Sequence, residues 1–166
     1  MNKVVTGLGR GTAEEAARRG QALAQALSRQ MKGGVAADPF TRGRYATDAS
    51  IYQITPLAVA FPRDADDLAA ALDVARAHDA PVIARGGGTS QNGQPIGPGL
   101  VLDFSRHFNG LVELDAAGRR ARVAPGMVLE RLNTRLRAEG LFFPVEPSTA
   151  TRCTIGGMAG NNSCGA

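Results

Sequence analysis

The chain has 166 residues, 43% of them hydrophobic and 20% charged, with a formal net charge of +4. That length and balance suit one folded domain with a real core and exclude a disordered chain. The positive charge is scattered, Arg18-Arg19 and Arg119-Arg120 being isolated pairs, and aromatic residues make up only 5%. Nucleic-acid surfaces concentrate basic and stacking side chains, so a nucleic-acid partner is not expected. Residues 1–15 hold Lys3, Arg10, Glu14 and Glu15 without an apolar run, and no stretch reaches membrane-spanning length. No transmembrane segment is expected, and a cytoplasmic location with reduced thiols is. Cys153 and Cys164 form no C-x-x-C pair and are too few for an iron–sulphur or zinc site, while a disulfide between them stays open.

In chain order, residues 12–31 read as an amphipathic helix. Thr12 with Glu15 makes a capping box, Ala16, Leu23, Leu27 and Met31 form the apolar stripe, and Gly33-Gly34 end it. Residues 35–55 look irregular, with Asp38-Pro39 and Thr55-Pro56 as breakers. From there helices and strands mix. A strand over 57–61 precedes a helix over 64–78, with Asp66 and Asp67 in its first turn. Residues 81–84 and 99–104 read as buried strands. A hairpin spans 111–114 and 120–124 around the turn Asp115-Ala116-Ala117-Gly118. Residues 127–138 form a second amphipathic helix through Val128, Leu129, Leu132 and Leu136, stopped by Gly140, and 141–144 are extended. The fold class is α+β.

Two glycine clusters carry the chemistry. Residues 85–94 read Arg-Gly-Gly-Gly-Thr-Ser-Gln-Asn-Gly-Gln, leaving the end of an apolar strand. Glycines followed by small polar side chains expose backbone N–H groups, a surface suited to a nucleotide diphosphate. Gly88 to Gly93 has P-loop spacing, but position 94 is Gln rather than Lys, and Pro95, Gly97, Pro98 and Gly99 preclude a following helix. Gly86 and Gly88 begin a dinucleotide fingerprint that fails at Gln91. The second cluster, Thr154-Ile155-Gly156-Gly157-Met158, opens into Asn161, Asn162 and Ser163, which can hydrogen-bond a polar heteroaromatic edge. His78 and His107 have no neighbours that suggest catalysis, and no catalytic residue is assigned.

These motifs, with Val59-Ala60-Phe61-Pro62-Arg63, Val101-Leu102-Asp103-Phe104-Ser105 and Val123-Ala124-Pro125-Gly126 in the same order, resemble the first part of an FAD-binding domain of the vanillyl-alcohol-oxidase or PCMH type. The resemblance divides the chain into an N-terminal helix and entry segment, 1–54, and an incomplete FAD-binding domain, 55–166. The stretches 47–53, 92–94 and 105–109 are similar to bacterial FAD- and iron–sulphur-containing dehydrogenases of D-lactate, glycolate or D-2-hydroxyglutarate.

The resemblance implies that Arg85, Gly86, Gly87, Gly88, Thr89 and Ser90, closed by Gly93 and Gln94, hold the FAD diphosphate. It places Pro147, Ser148, Thr154, Gly156 and Gly157 on a second wall, and Asn161, Asn162 and Ser163 at the flavin edge. Some relatives bond the flavin covalently through a histidine where this chain has Thr89, so FAD is expected to be non-covalent. On this reading a valine at Gly87 would push methyl groups into the diphosphate space or be forced into a backbone region that β-branched residues avoid. The chain ends at Ala166, where the resembling domain continues. Substrate-binding residues for a small 2-hydroxy acid, and any iron–sulphur clusters, are therefore expected in a missing C-terminal region. That region would come from the same gene or from the other half of a split enzyme. A complete assembly could sit at the inner membrane surface. The alternative is a non-catalytic truncated fragment serving at most as a binding or assembly subunit.

Overall fold

A computed structural model of the chain describes residues 10–163. Eleven elements follow one another among them: α1 (Arg10–Gln30), β1 (Gly34–Ala36), α2 (Pro39–Arg44), β2 (Ala58–Phe61), α3 (Ala65–Ala77), β3 (Val82–Arg85), β4 (Leu100–Asp103), β5 (Leu111–Asp115), β6 (Arg120–Val123), α4 (Leu129–Arg137) and α5 (Ile155–Gly160). Four strands make one sheet in the order β1-β2-β4-β3, and β5 pairs with β6 in a separate hairpin. Strands β2, β4 and β3 run parallel, with Val59 opposite Val101 and Ile83 opposite Val101, while β1 lies antiparallel to β2. The mixed composition of helix and strand is the α+β class read from the sequence.

Period-two alternation sorts the central strands onto two faces. Ala58, Ala60, Leu100 and Leu102 meet Leu23 and Leu27 from α1, Met31 just after it, and Ala71 and Val74 from α3, with Ala16 at the margin. Val59, Phe61 and Val101 face Tyr45 on the other side. Leu23 and Leu27 are almost wholly removed from water, contributing about 1.5–3 kcal/mol each. A further apolar cluster joins Met127, Leu132 and Leu136 to the β5–β6 hairpin and to Ile155. The hairpin turn forms as its sequence dictates, with Gly118 N donating to Asp115 Oδ1 at 2.8 Å.

Asp67 ties three separate segments together. Its Oδ1 accepts from Lys32 N at 2.7 Å, and its Oδ2 accepts from Gly33 N at 2.8 Å and Arg63 N at 2.9 Å. The amides that follow α1 are thus satisfied by a carboxylate on α3. Burial raises the Asp67 pKa, but these backbone donors outweigh it and hold the group below the usual carboxylate range.

Several expectations are corrected. Helix α1 begins at Arg10, upstream of the Thr12 read as its cap, and its first turn holds no acidic residue. The stretch 35–55 is not wholly irregular. It includes part of β1 and the short α2, which Asp38 caps through Thr41 N at 2.9 Å. Strand β3, the last in the sheet order among the described residues, is not buried: it alternates in exposure, and Val82 is 41% exposed. Helix α5 was not anticipated from its glycine-rich sequence. Cys153 is buried, and burial pushes its thiol pKa up; Cys164 lies outside the described residues.

Candidate cofactor site

The first glycine loop leaves the carboxyl end of β3 at Arg85, the end of parallel strands at which ligands of open α/β sheets commonly bind. Gly88 and Gly93 take left-handed conformations, φ +66° and +75°, which side chains disfavour. Among the described residues, no protein acceptor takes the amides of Gly87, Gly88 or Thr89. Unpartnered amides in succession on an accessible loop form an anion-binding concavity.

The second loop lies directly against the first. A Cβ on Gly86 would overlap the Thr154 hydroxyl, and one on Gly87 would overlap the carbonyl of Arg152. Only bare backbone permits this approach. A side chain added at Gly87 would thus meet the second loop first. No positive φ requires glycine there; close packing does.

The amides of the second loop are already used. Ile155 N donates to Met127 O, Gly156 N to Pro125 O, and Gly157 N to Thr154 Oγ1 at 3.3 Å. Thr154 is 1% exposed and caps α5. Gly156 packs so tightly that a Cβ would fall 2.6 Å from Pro125 Cβ. This loop is a rigid wall, and the open donors belong to the first. Side chains join the two: Ser90 Oγ donates to Gln94 Oε1, and Gln94 Nε2 donates to Asn161 Oδ1 at 2.6 Å.

Pro147 and Ser148 precede the wall in a turn whose Pro147 carbonyl accepts from Ala150 N. Asn162 adopts φ +47° just after α5, and Ser163 N returns to Met158 O. Gly86, Gly87 and Gln94 of the first cluster thus meet Thr154, Arg152 and Asn161 of the second, while the bonds of Pro147 and Ser163 are local to their own segments.

Arg85 keeps its guanidinium close to the loop, Nη2 lying 2.6 Å from where a Cβ on Gly88 would sit. Its Nη2 donates to Thr47 O at 2.8 Å and its Nη1 to Pro95 O at 3.3 Å. Its guanidinium also lies 5.1 Å from the centre of the Tyr45 ring. Arg85 braces the loop from beneath. Tyr45 donates a short hydrogen bond to Asp103, and burial raises the Tyr45 pKa well above that of an ordinary phenol. Arg106, 3.7 Å from the Phe61 ring centre, closes this cluster. Sequence reading missed the cluster as a support. Its one available signal was that Arg85, Asp103 and Arg106 all stand at or just past strand ends.

His78 and His107 are exposed. His78 caps the carboxyl end of α3, before β3 begins, at the opposite end of that strand from the glycine loop. Among the described residues there is no cluster of His, Cys, Asp or Glu that could hold a metal.

The first loop offers unused amides and packs directly on the second. A mixed α+β domain with two apposed glycine loops and no Rossmann turn is the class that the fold and the loops define. The sequence pattern of the family described as "FAD binding domain" matches residues 56–166, and the chain belongs to that family.

Among curated proteins, the chain is 43% identical over 137 residues to D-2-hydroxyglutarate dehydrogenase of Pseudomonas putida, covering 81% of this chain and 14% of that one. It is 36% identical over 141 residues to glycolate oxidase subunit GlcD of Bacillus subtilis, covering 82% of this chain and 30% of that one. Among solved structures, an alkyldihydroxyacetonephosphate synthase superposes with a TM-score of 0.76 at 17% identity, over 87% of this chain and 30% of that one. p-Cresol methylhydroxylase does so with a TM-score of 0.66 at 15% identity, over 92% and 30% respectively. These neighbours share the PCMH-type fold. The chain thus spans a small part of the curated relatives it matches.

Proposed function

We propose that the two glycine loops bind FAD non-covalently, and that the complete protein oxidises a D-2-hydroxy acid such as D-2-hydroxyglutarate, glycolate or D-lactate. The observation that carries this reading is the row of unused amides at Gly87, Gly88 and Thr89, on a loop that packs against Arg152 and Thr154. The diphosphate would lie on those amides. The Thr89 and Ser90 hydroxyls would flank it, and Asn161, Asn162 and Ser163 would meet the flavin edge. Arg85 would hold the loop in register, and Gly93 and Gln94 would close it. Thr89 offers no nitrogen nucleophile to the flavin ring, in keeping with a dissociable cofactor. Bound FAD supplies the two-electron acceptor. The residues described here bind and orient it, and they include no base placed for the substrate hydroxyl.

The names of the relatives support the substrate class. Removal of the hydroxyl proton, capture of the carboxylate and onward transfer of electrons are assigned to regions beyond these residues, which would include any iron–sulphur clusters. No described helix is long and apolar enough to cross a membrane.

A second reading, a non-catalytic binding or assembly subunit, draws on an apolar groove of about 620 Å³ between the hairpin and α4. Leu114, Val123, Leu132, Leu141 and Phe142 help line it. Thermal melts with saturating FAD, NAD and ATP test the cofactor assignment. Stabilisation by FAD alone is expected, at about 2.7 kcal/mol when ligand is a hundredfold above Kd. Stabilisation by NAD or ATP in its place would overturn it.

A further inference from the structure

Residues 46–54 form a small hairpin, closed by the bridge between Thr47 and Gln53 and by Ile54 N donating to Ala46 O at 2.9 Å. This hairpin is fastened to the first glycine loop. Ala49 N donates to Ser90 O at 3.0 Å, Arg85 Nη2 donates to Thr47 O, and the Asp48 charge acts favourably on the Arg85 guanidinium. The Tyr52 ring lies against the loop at Gly93, where a Cβ would come 3.0 Å from Tyr52 Cδ2. Despite that contact Tyr52 is 55% exposed, and the adjacent Ile51 is 96% exposed.

We propose that this hairpin is a third wall of the cofactor cradle, on which Tyr52 stacks against a planar heteroaromatic ring of the bound nucleotide. The inference rests on the FAD reading above. A nucleotide joins a polyanion to flat rings, and the cradle presents the two complementary surfaces side by side: free amides at Gly87, Gly88 and Thr89, and an exposed aromatic face at the far end of the same loop. An aromatic side chain held in place by backbone contacts loses little freedom on stacking, and such stacking is tolerant of ring identity. Tyr45, the only other tyrosine in the chain, is buried beneath Arg85 and cannot serve.

The test compares the unaltered chain with Tyr52→Phe, Tyr52→Trp and Tyr52→Leu, titrated with FAD, FMN and ADP. Affinity is followed by calorimetry, and flavin emission by fluorescence. The natural chain has no tryptophan, and a stacked phenol or indole quenches a flavin by electron transfer at contact. Tyr52→Phe and Tyr52→Trp should retain FAD, while Tyr52→Leu should bind it about tenfold more weakly, 1.4 kcal/mol. If the stacked ring is the flavin, FMN weakens with FAD in Tyr52→Leu and its bound emission brightens. If the ring is adenine, ADP weakens and FMN does not. Melting temperatures without ligand should agree across the series, because the side chain is largely exposed. FAD, FMN and ADP binding Tyr52→Leu as they bind the unaltered chain would overturn the inference and leave the cofactor assignment standing. Failure of FAD to bind the unaltered chain would overturn both.

Discussion

Replacing Gly86 with alanine adds one methyl group at the tightest point between the two glycine loops. That carbon would overlap Thr154 Oγ1 and lie 3.2 Å from Thr154 Cβ and 3.3 Å from its Cγ2. Thr154 cannot swing away, because it is 1% exposed and its hydroxyl accepts from Gly157 N to cap α5. The loops must therefore separate. Overpacking of this kind costs about 1–3 kcal/mol, which lowers Tm by roughly 2–12 °C at about 2–4 °C per kcal/mol for a chain of this size.

Separation also moves the amides of Gly87 and Gly88 away from the second wall. FAD affinity should fall about tenfold or more, at least 1.4 kcal/mol. Gly160→Ala is the matched control, since nothing lies within 4 Å of a Cβ there. Thermal melts and flavin fluorescence anisotropy on both variants decide the matter. Equal FAD affinity in Gly86→Ala and Gly160→Ala would refute the view that loop contact shapes the site.

Gly88→Ala should also weaken FAD, by strain at φ +66° and by a Cβ only 2.6 Å from Arg85 Nη2; calorimetry on that variant would show no change if the loop lay outside the site. Asp67→Asn should cost about 2–4 kcal/mol at neutral pH, because one acceptor oxygen serving Gly33 and Arg63 becomes an amide donor. Since the folded Asp67 pKa lies below that of an ordinary aspartate, its ionised form contributes stability above the ordinary value, about 3.9, and loses it as pH falls through the folded pKa. The difference in melting temperature between Asp67→Asn and the unaltered chain should thus shrink below about pH 4, and a gap independent of pH would exclude the carboxylate as its source. The 166-residue chain saturated with FAD should not oxidise D-2-hydroxyglutarate, glycolate or D-lactate in a dye-reduction assay, whereas robust turnover would place the substrate machinery within these residues.

The cradle was legible where local rules govern. An apolar run followed by three glycines announced a loop at a strand end, and Asp115 with Gly118 announced the hairpin turn. Other parts depended on distant neighbours. Strand β3 reads as buried from its own residues, and only the sheet order places it last among the described strands. Helix α5 contains Gly156, Gly157 and Gly160, each unfavourable in a helix by about 1 kcal/mol relative to alanine. It forms because Thr154 caps it, Pro125 O holds Gly156 N, and Met158 is buried. The bracing bonds of Arg85 to Thr47 and Pro95 were equally illegible, because both partners are distant in sequence.

The family match begins at residue 56, yet the Asp67 clamp reaches back to Lys32 and Gly33. A recombinant protein started at residue 56 would keep both glycine clusters and lose the α1 part of the cover over Ala58, Ala60, Leu100 and Leu102. It would strand an ionised carboxylate with one of its three amide donors, and it would discard Tyr45 from beneath Arg85. The minimal unit for expression and transplantation into another flavoprotein therefore begins at the start of α1, well before the boundary that sequence similarity marks.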